Sequence, residues 1–338
     1  MSHMSHMSHK RAAAERVSVP TDGAFVFVAL LTLIAASFYV AILRALLNRD
    51  FPLATLEAMI DGTARTPFQY RILIPWLVGY LRDITGLSVM ALYQLAEALA
   101  VAGVILSTRY LLLGFFPRRS ATILSFGALL ILPWNYLLPR EIALFIPADL
   151  PAVAFFTLGL ALIARGKWTA FYPLFIIATF NRETTCFLSG AFALTQFSTM
   201  RRTALVAHLG AQTALWVAIK VWLAKIYAGN PGEIFEIHGV GSNLSHLAAN
   251  LEFLFTPERA LILLSSFGFL WIPLVLWRGR IGEPFIRLAL WTLPIYALAM
   301  LVIGNLNEIR IFGEFIPLVW TANLLLFRAL FDNSRAVA

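Results

Sequence analysis

The stretch AFVFVALLTLIAASFYVAILRALLNRD, residues 24 to 50, decides the fold of this chain. Residues 24–47 form an apolar run longer than the ~18 residues that mark a membrane-spanning helix. The charged pair Arg49-Asp50 follows this run directly. Similar apolar runs with charge at their ends recur along the sequence. The first run therefore predicts the plan of the whole chain, which is a set of membrane helices with charged ends.

The composition places the chain in the same class. Of its 338 residues, 60% are hydrophobic and 13% are charged. A soluble domain carries about 25% charged residues, so we predict an all-α polytopic membrane protein. The net charge of +8 comes from basic residues beside the apolar runs, and we expect no nucleic-acid partner. The single cysteine, Cys186, excludes an internal disulfide framework.

Apolar runs predict about ten transmembrane helices within one domain, residues 24–331. A basic cytoplasmic tail, residues 1–23, precedes this domain, and a short cytoplasmic tail, residues 332–338, follows it. Two runs are short for a full crossing and are expected to tilt or to extend into neighbouring polar residues. The predicted spans are residues 24–47, 87–113, 120–138, 148–164, 168–180, 184–197, 203–228, 259–277, 284–303 and 311–331.

Lysine and arginine clusters set the predicted orientation, because they accumulate at the cytoplasmic face of a membrane. Ten spans with both termini in the cytoplasm put every basic cluster at or beside that face, and we predict the inner (plasma) membrane of a bacterium. This arrangement requires that residues 68–82 do not cross, so they are expected to form an interfacial or re-entrant helix. Two outer segments result: residues 48–86, which carry interfacial helices, and residues 229–258.

Three carboxylates at the predicted outer ends of spans are candidate catalytic residues. Asp50 follows the first span, where partial desolvation would suit a general base, and pairing with Arg49 is the alternative. Asp149 begins a span, where helix capping is the alternative. Glu183 belongs to Asn-Arg-Glu, residues 181–183, between the two short spans. A simple turn would not need an adjacent Arg-Glu pair.

Three arginines near the same face are candidate phosphate-binding residues: Arg71, Arg182 and Arg310. An arginine that faces the bundle can hold a phosphate by bidentate hydrogen bonds, whereas snorkelling to lipid headgroups is the alternative for Arg71. Arg310 precedes the last span, where a cation opposes the helix dipole and needs another partner, such as an anion. The predicted supporting residues are Arg140, Glu141, Asn181, Asn307, Glu308 and His238.

The ionisable residues Glu97 and Lys220 lie inside predicted spans. Such groups indicate a proton or ion path, although a structural pair explains each of them equally well. The histidines predict no metal site, and a divalent metal stays open as the one cofactor question. The sequence has no Gly-rich phosphate loop, Walker motif or nucleophile elbow. An activated donor would therefore come from the membrane.

The layout resembles the GT-C class of integral-membrane glycosyltransferases, of a bacterial type. The resemblance rests on an acid directly after the first span, Asp50, then two surface helices and alternating short loops. The segments PFQYRILIP, residues 67–75, and NEIR, residues 307–310, with the downstream Pro317, are similar to recurring patterns in that class. The chain departs from the class because its first loop lacks a paired Asp-Glu or Asp-x-Asp, and because no large extracytoplasmic domain is present.

The resemblance implies transfer of a sugar from a polyprenyl-phosphate donor in the lipid bilayer to an acceptor at the outer face. Asp50 would match the first-loop acid that acts as base or orients the acceptor, with Glu183 or Asp149 as the other candidates. By their chemistry, the three arginines would neutralise the leaving phosphate. The alternative is a transporter or flippase for an amphipathic or lipid-linked anion, which would use Glu97 and Lys220.

Overall fold

The computed structural model describes residues 22–137, 144–235 and 245–335, and this part of the chain is helical, without a β-strand. The predicted all-α class is therefore confirmed. Short 3-10 turns connect several helices, and the turn Ile309–Phe315 is central to the site described below. The α-helices are α1 (Asp22–Leu47), α2 (Leu56–Ile60), α3 (Leu73–Thr85), α4 (Val89–Leu112), α5 (Arg118–Ser125), α6 (Ala128–Tyr136), α7 (Asp149–Ala164), α8 (Trp168–Asn181), α9 (Cys186–Gln196), α10 (Arg202–Ile226), α11 (His246–Phe255), α12 (Pro257–Leu264), α13 (Trp271–Trp277), α14 (Pro284–Ala289), α15 (Thr292–Ile303) and α16 (Ile316–Arg335).

Five helical stretches in the described residues are long and apolar enough to cross a membrane. α7 is a further apolar helix of 16 residues. All six coincide with predicted spans, so the chain has the helices of a membrane protein. The count of about ten crossings stays a prediction. The five stretches are Asp22–Leu47, Val89–Leu112, Arg202–Ile226, Pro284–Ile303 and Ile309–Phe331.

The predicted span 120–138 is broken into α5 and α6 at Gly127. The indole ring of Trp320, from α16, lies so close to Gly127 that a side chain at this position would overlap it. The indole Nε1 of Trp320 donates to the carbonyl of Leu124 at 2.7 Å. The same carbonyl accepts a hydrogen bond from the backbone N–H of Gly127 at 3.1 Å, so the indole adds a second bond at the break.

The predicted span 259–277 is also broken, into α12 and α13. Phe267, Gly268 and Phe269 have positive φ angles of 58°, 60° and 63°, which a continuous helix does not allow. The side chain of Asn135 accepts a hydrogen bond from the backbone N–H of Phe267 at 3.0 Å. The amide of Asn323 donates to the carbonyl of Leu270 at 3.0 Å. Side-chain amides thus replace the backbone bonds that the break removes.

α7 lies at the centre of the bundle, and α1 lies at its edge. α7 packs against α4, α8, α9 and the turn Ile309–Phe315, and most of its side chains are buried. In α1 only Ser37, Ala41 and Arg44 are buried, and large apolar side chains such as Phe27 are exposed. An apolar helix surface of this kind suits contact with lipid.

The two predicted outer segments contact each other. The amide of Asn230 donates to the carbonyls of Gly62 and Ala64, both at 2.8 Å. α3 packs its buried Ile74 and Val78 against the first turns of α4. With 13 residues, α3 is only about 20 Å long, shorter than the ~30 Å hydrocarbon core of a bilayer. That residues 68–82 do not cross the membrane stays a prediction.

Candidate functional site

Charged residues from distant parts of the chain meet at one end of the bundle, which we call the charged end. It is formed by the last turns of α1, α8 and α10, the first turns of α4, α7 and α9, and the turn Ile309–Phe315. Alternate helices run in opposite directions, so residues near predicted outer span ends become neighbours. The charged residues found there are Arg44, Arg71, Glu97, Asp149, Arg182, Glu183, Lys220, Glu308, Arg310 and Glu314.

Asp149 is the centre of this group. Its side chain is fully buried, and three arginines surround it. Arg182 Nη1 and Arg310 Nη1 each lie 3.2 Å from Asp149 Oδ1, and Arg44 Nη2 lies 3.5 Å from Oδ2. One buried carboxylate thus fixes three guanidinium groups from α1, α8–α9 and the turn before α16. Asp149 is engaged on both oxygens, which suits a positioning residue better than a proton acceptor.

The network continues from Asp149 in two directions. Arg44 also donates to Glu97 Oε2 at 2.5 Å, and its guanidinium lies 5.1 Å from the ring centre of Tyr136. In the other direction, Arg182 Nε lies 3.5 Å from Glu314 Oε1, which also accepts a hydrogen bond from Thr184. These pairs are buried, so each charge depends on its partner for stability.

A cavity of about 90 Å³ opens beside this network. Four cationic side chains line it, together with two partly exposed carboxylates, Glu183 and Glu308. Apolar side chains complete the wall, among them Phe68, Phe235, Met300 and Ile303. The four cations are Arg71, Arg182, Lys220 and Arg310. All three arginines that the sequence predicted to hold a phosphate therefore line one cavity.

Arg71 and Glu183 form a two-pronged ion pair at the cavity wall. Arg71 Nη2 lies 2.6 Å from Glu183 Oε1, and Arg71 Nε lies 3.3 Å from Oε2. Trp216 Nε1, from α10, donates to the backbone carbonyl of Glu183 at 2.9 Å and fixes the turn between α8 and α9. Both oxygens of Glu183 are therefore occupied by Arg71, which this carboxylate orients.

Glu308 contacts the cavity with one oxygen unoccupied. Its Oε2 accepts a hydrogen bond from Arg310 Nη2, whereas Oε1 has no hydrogen-bond partner among the described residues. The side chain is 20% exposed. The 3-10 turn that carries Arg310 is held by Tyr296, whose hydroxyl donates to the carbonyl of Ile311 at 2.7 Å. Glu308 can therefore accept a proton from a molecule in the cavity.

Lys220 is a buried cation near Glu183, but among the described residues no carboxylate lies within ion-pair distance of it. It is 7% exposed, and in the described part of the chain it forms neither a hydrogen bond nor an ion pair. Its Nζ lies 4.5 Å from the ring centre of Tyr70, a cation–π contact that only partly replaces hydration. Arg71 Nη1 is also buried and lacks an acceptor there. Unsatisfied donors beside a cavity favour an anionic ligand.

Asp50, the preferred base of the sequence analysis, lies outside the lining of this cavity. Its side chain is exposed and accepts a hydrogen bond from the backbone N–H of Phe51 at 3.0 Å. Neighbouring atoms displace part of its water shell, and this raises the pKa of Asp50 above its ordinary value. Its predicted catalytic role stays a prediction that the geometry does not favour.

The predicted supporting residues fall into two groups. Asn181 is buried and donates to the carbonyl of Ala148 at 2.9 Å, which joins the end of α8 to the start of α7. The backbone N–H of Asn307 donates to the side chain of Asn305, which lines the cavity, at 3.1 Å. Glu308 lines the cavity as described above, and Arg140, Glu141 and His238 lie outside the described residues.

The sequence analysis gave no site role to Arg44, which it treated as part of an apolar span, or to Glu314 in the last span. The signal for Arg44 was available, because a lone arginine within one turn of the end of an apolar run needs a partner.

The described residues contain no group of three His, Cys, Asp or Glu side chains arranged to hold a metal ion. No family model, curated protein or solved structure matches this chain.

Proposed function

We propose that this protein is a membrane glycosyltransferase that moves a sugar from a polyprenyl-phosphate donor to an acceptor hydroxyl. The observation that carries the proposal is the cavity at the charged end, where four cations meet two partly exposed carboxylates. Phosphate is the leaving group that such a set of cations suits, and a carboxylate is the base that the acceptor needs.

The cations would act on the leaving group. As the bond between the sugar C1 and the phosphate oxygen breaks, negative charge grows on the phosphate. Arg71 and Lys220 each have a donor without an acceptor among the described residues, so they would gain hydrogen bonds in that step. Donors fixed in advance stabilise a developing charge without reorganising. Glu183 and Asp149 would act as positioning residues for the arginines.

Glu308 would be the general base. Its free Oε1 would accept the proton of the acceptor hydroxyl while the hydroxyl oxygen forms the new bond to C1. The products are the glycosylated acceptor, a polyprenyl phosphate and a protonated Glu308, which returns its proton to water. The charge and the atoms balance without a further reactant. This assignment replaces Asp50, which is exposed outside the cavity.

The size of the cavity limits what it holds. About 90 Å³ accommodates a phosphate-sized group, not a whole sugar and lipid. The sugar and the polyprenyl chain would extend through the opening, whose wall includes the apolar side chains Phe235, Met300 and Ile303. An anion bound beside an apolar wall suits a lipid-linked donor better than a soluble nucleotide sugar.

The transporter alternative is less well supported because the charged network stops near the charged end. Glu97 is its deepest member in α4 and lies about 12 Å along the helix from Val89, at ~1.5 Å per residue. Further along α4 no buried side chain is charged: Val101, Val104 and Ile105 are apolar, and the hydroxyls of Ser107 and Thr108 donate to the carbonyl of Val104 within the helix. A transport path predicts polar groups at several depths of the bilayer.

The decisive experiment is a turnover assay of the purified protein in lipid with a pool of polyprenyl-phosphate sugars, read by mass spectrometry as loss of sugar from the lipid. The Glu308→Gln variant is expected to lose at least about 100-fold in rate, while donor binding is retained. The matched control is Asp50→Asn, which should keep most of the activity.

Three results would change the assignment. If Asp50→Asn abolishes turnover and Glu308→Gln does not, Asp50 is the base, as the sequence resemblance implies. If the donors stay intact but cross the bilayer, the protein is a flippase. If the protein neither binds nor alters any of these lipids, the glycosyltransferase proposal fails.

A further inference from the structure

A second cavity lies at the other end of the bundle, between α1, α4 and α5, and we call it the α1–α5 groove. Its volume is about 690 Å³. One end is charged and is lined by Asp22, Arg109, Arg118 and Arg119, while the walls along α1 and α4 are apolar. Asp22 and Arg44 lie near opposite ends of α1, a helix of 26 residues and about 39 Å. The groove is therefore remote from the candidate site.

The arginine-lined end of the groove carries a net positive charge, because three arginines and one aspartate line it. Arg119 is paired with Asp22 at 2.6 Å. Arg109 Nε donates to the hydroxyl of Thr122 at 2.8 Å, which leaves its charge without a carboxylate among the described residues. Arg118 is exposed and forms no side-chain ion pair in the described part of the chain. This end attracts an anion.

The walls of the groove suit a hydrocarbon chain. α1 contributes Val26, Leu30 and Leu33, and α4 contributes Ile105 and Leu106. Val26, Leu30 and Leu106 are exposed on the surface of the bundle, where a membrane helix meets lipid. A ligand that fills the whole groove therefore has a negative head and an apolar body that lies along the helices.

We propose that the α1–α5 groove binds an anionic phospholipid, with its phosphate at Arg109 and Arg118 and one acyl chain along α1 and α4. Basic pockets between membrane helices at the cytoplasmic face are suited to such headgroups. The N-terminal tail of the same chain is a poor competitor for this position. Residues 1–21 contain Lys10, Arg11 and Arg16 against one acid, so the tail has the same sign of charge as the groove.

Native mass spectrometry of the full chain in detergent tests the proposal, with phosphatidylglycerol and phosphatidylcholine as the probes. One saturable phosphatidylglycerol adduct is expected, and phosphatidylcholine should bind at least tenfold more weakly. The double variant Arg109→Gln, Arg118→Gln should weaken phosphatidylglycerol binding by about 30-fold. The matched control is Arg201→Gln, Arg202→Gln, which removes two exposed arginines outside the groove and should leave binding unchanged.

The variant Ala29→Trp separates the groove from a general charge effect, because it fills the apolar wall and leaves the arginines intact. It should abolish the adduct while the melting temperature stays close to that of the unchanged protein. Equal loss in both arginine variants, equal binding of both lipids, or an adduct that survives Ala29→Trp would overturn the proposal. A dimer that binds no lipid and dissociates in Ala29→Trp would make the groove a contact between two copies of the chain.

Discussion

Arginines lie at both ends of the bundle, in two different environments. At the charged end, Arg44, Arg182 and Arg310 are at most 5% exposed and bind carboxylates. At the basic end, which comprises Arg109, Arg118, Arg119, Arg165 and Arg328, the arginines are exposed or half-buried. Several of these donate to backbone carbonyls, as Arg328 does to Phe115 at 2.9 Å.

This difference in burial corresponds to two roles of arginine in the molecule. Arginines at the basic end can reach water or lipid headgroups, so their charges need no site to account for them. Arginines at the charged end have lost their water, and burying a charge is costly even when it is paired. A fold tolerates that cost where the charges serve a site. The contrast therefore supports the charged end as the functional one.

The largest expected effect is on Asp149. Asp149→Asn leaves three buried arginines without their shared carboxylate, and it should lower the free energy of unfolding by about 3 to 5 kcal/mol. Thermal melting in detergent measures the change. The control at the basic end is Asp22→Asn, which removes a pair between exposed side chains and should leave the melting curve unchanged. Equal effects at the two ends would show that the two environments do not differ energetically.

A double-mutant cycle on Arg44 and Glu97 compares a buried ion pair at the charged end with an exposed pair at the basic end. Glu97→Leu leaves Arg44 with only its longer contact to Asp149, and Arg44→Leu leaves Glu97 without an ion-pair partner among the described residues. Each single change should cost about 3 kcal/mol, whereas the double variant should cost about 1 to 3 kcal/mol less than the sum. The same cycle on Arg328 and Glu283, 3.8 Å apart and both about 40% exposed, should give a coupling near zero. A coupling near zero for the buried pair would contradict the assigned network.

A change at Lys220 is expected to have a smaller effect on stability and a specific effect on donor binding. Lys220→Met removes a buried cation that forms no ion pair or hydrogen bond among the described residues, so it should raise the melting temperature of the ligand-free protein. The same change should weaken binding of a polyprenyl-phosphate donor by roughly 10-fold or more, because a charged hydrogen bond is lost. Lys225→Met, an exposed position on the same helix, is the control. A lower melting temperature with unchanged binding would make Lys220 a structural residue.

The smallest expected effect concerns Asp50, an exposed acid close to the charged end. Since its pKa is raised in the folded protein, its charge costs stability above that pKa, and the cost disappears as the pH falls below about 4, its ordinary value. Asp50→Asn should therefore stabilise the protein at neutral pH by less than about 1 kcal/mol, and not at all near pH 4. Melting temperatures of both proteins across this pH range measure the difference, and a gain that persists at pH 4 would contradict it.

The sequence was sufficient to predict which arginines lie together at the charged end. Arg71, Arg182 and Arg310 were predicted to act together, because charge at alternate span ends falls at one face of a membrane. Depth in the membrane can be inferred from sequence, whereas the position around the bundle depends on packing. For that reason Asp50 was preferred as the base, although it lies outside the cavity, and Glu308 was given only a supporting role.

The breaks in the helices could not be predicted from local sequence. Residues 120–138 form a continuous apolar run, and the break at Gly127 depends on Trp320, whose indole bonds a carbonyl 196 residues away in the chain. The turn Ile309–Phe315 similarly depends on Tyr296 and Asn135, which donate to its backbone carbonyls. Contacts between residues so far apart become visible only in the folded structure.

The pairing of Arg44 with Glu97 has a consequence for the synthesis of the chain. Arg44 is synthesised 53 residues before Glu97, so we expect the first helix to enter the membrane before this pair can form. Arg44 lies in the last turn of α1, where a long side chain can reach the headgroup region during that interval. Once α4 is inserted, we expect the arginine to leave the interface and to pair with Glu97. The two helices would then assemble in the order in which they are synthesised.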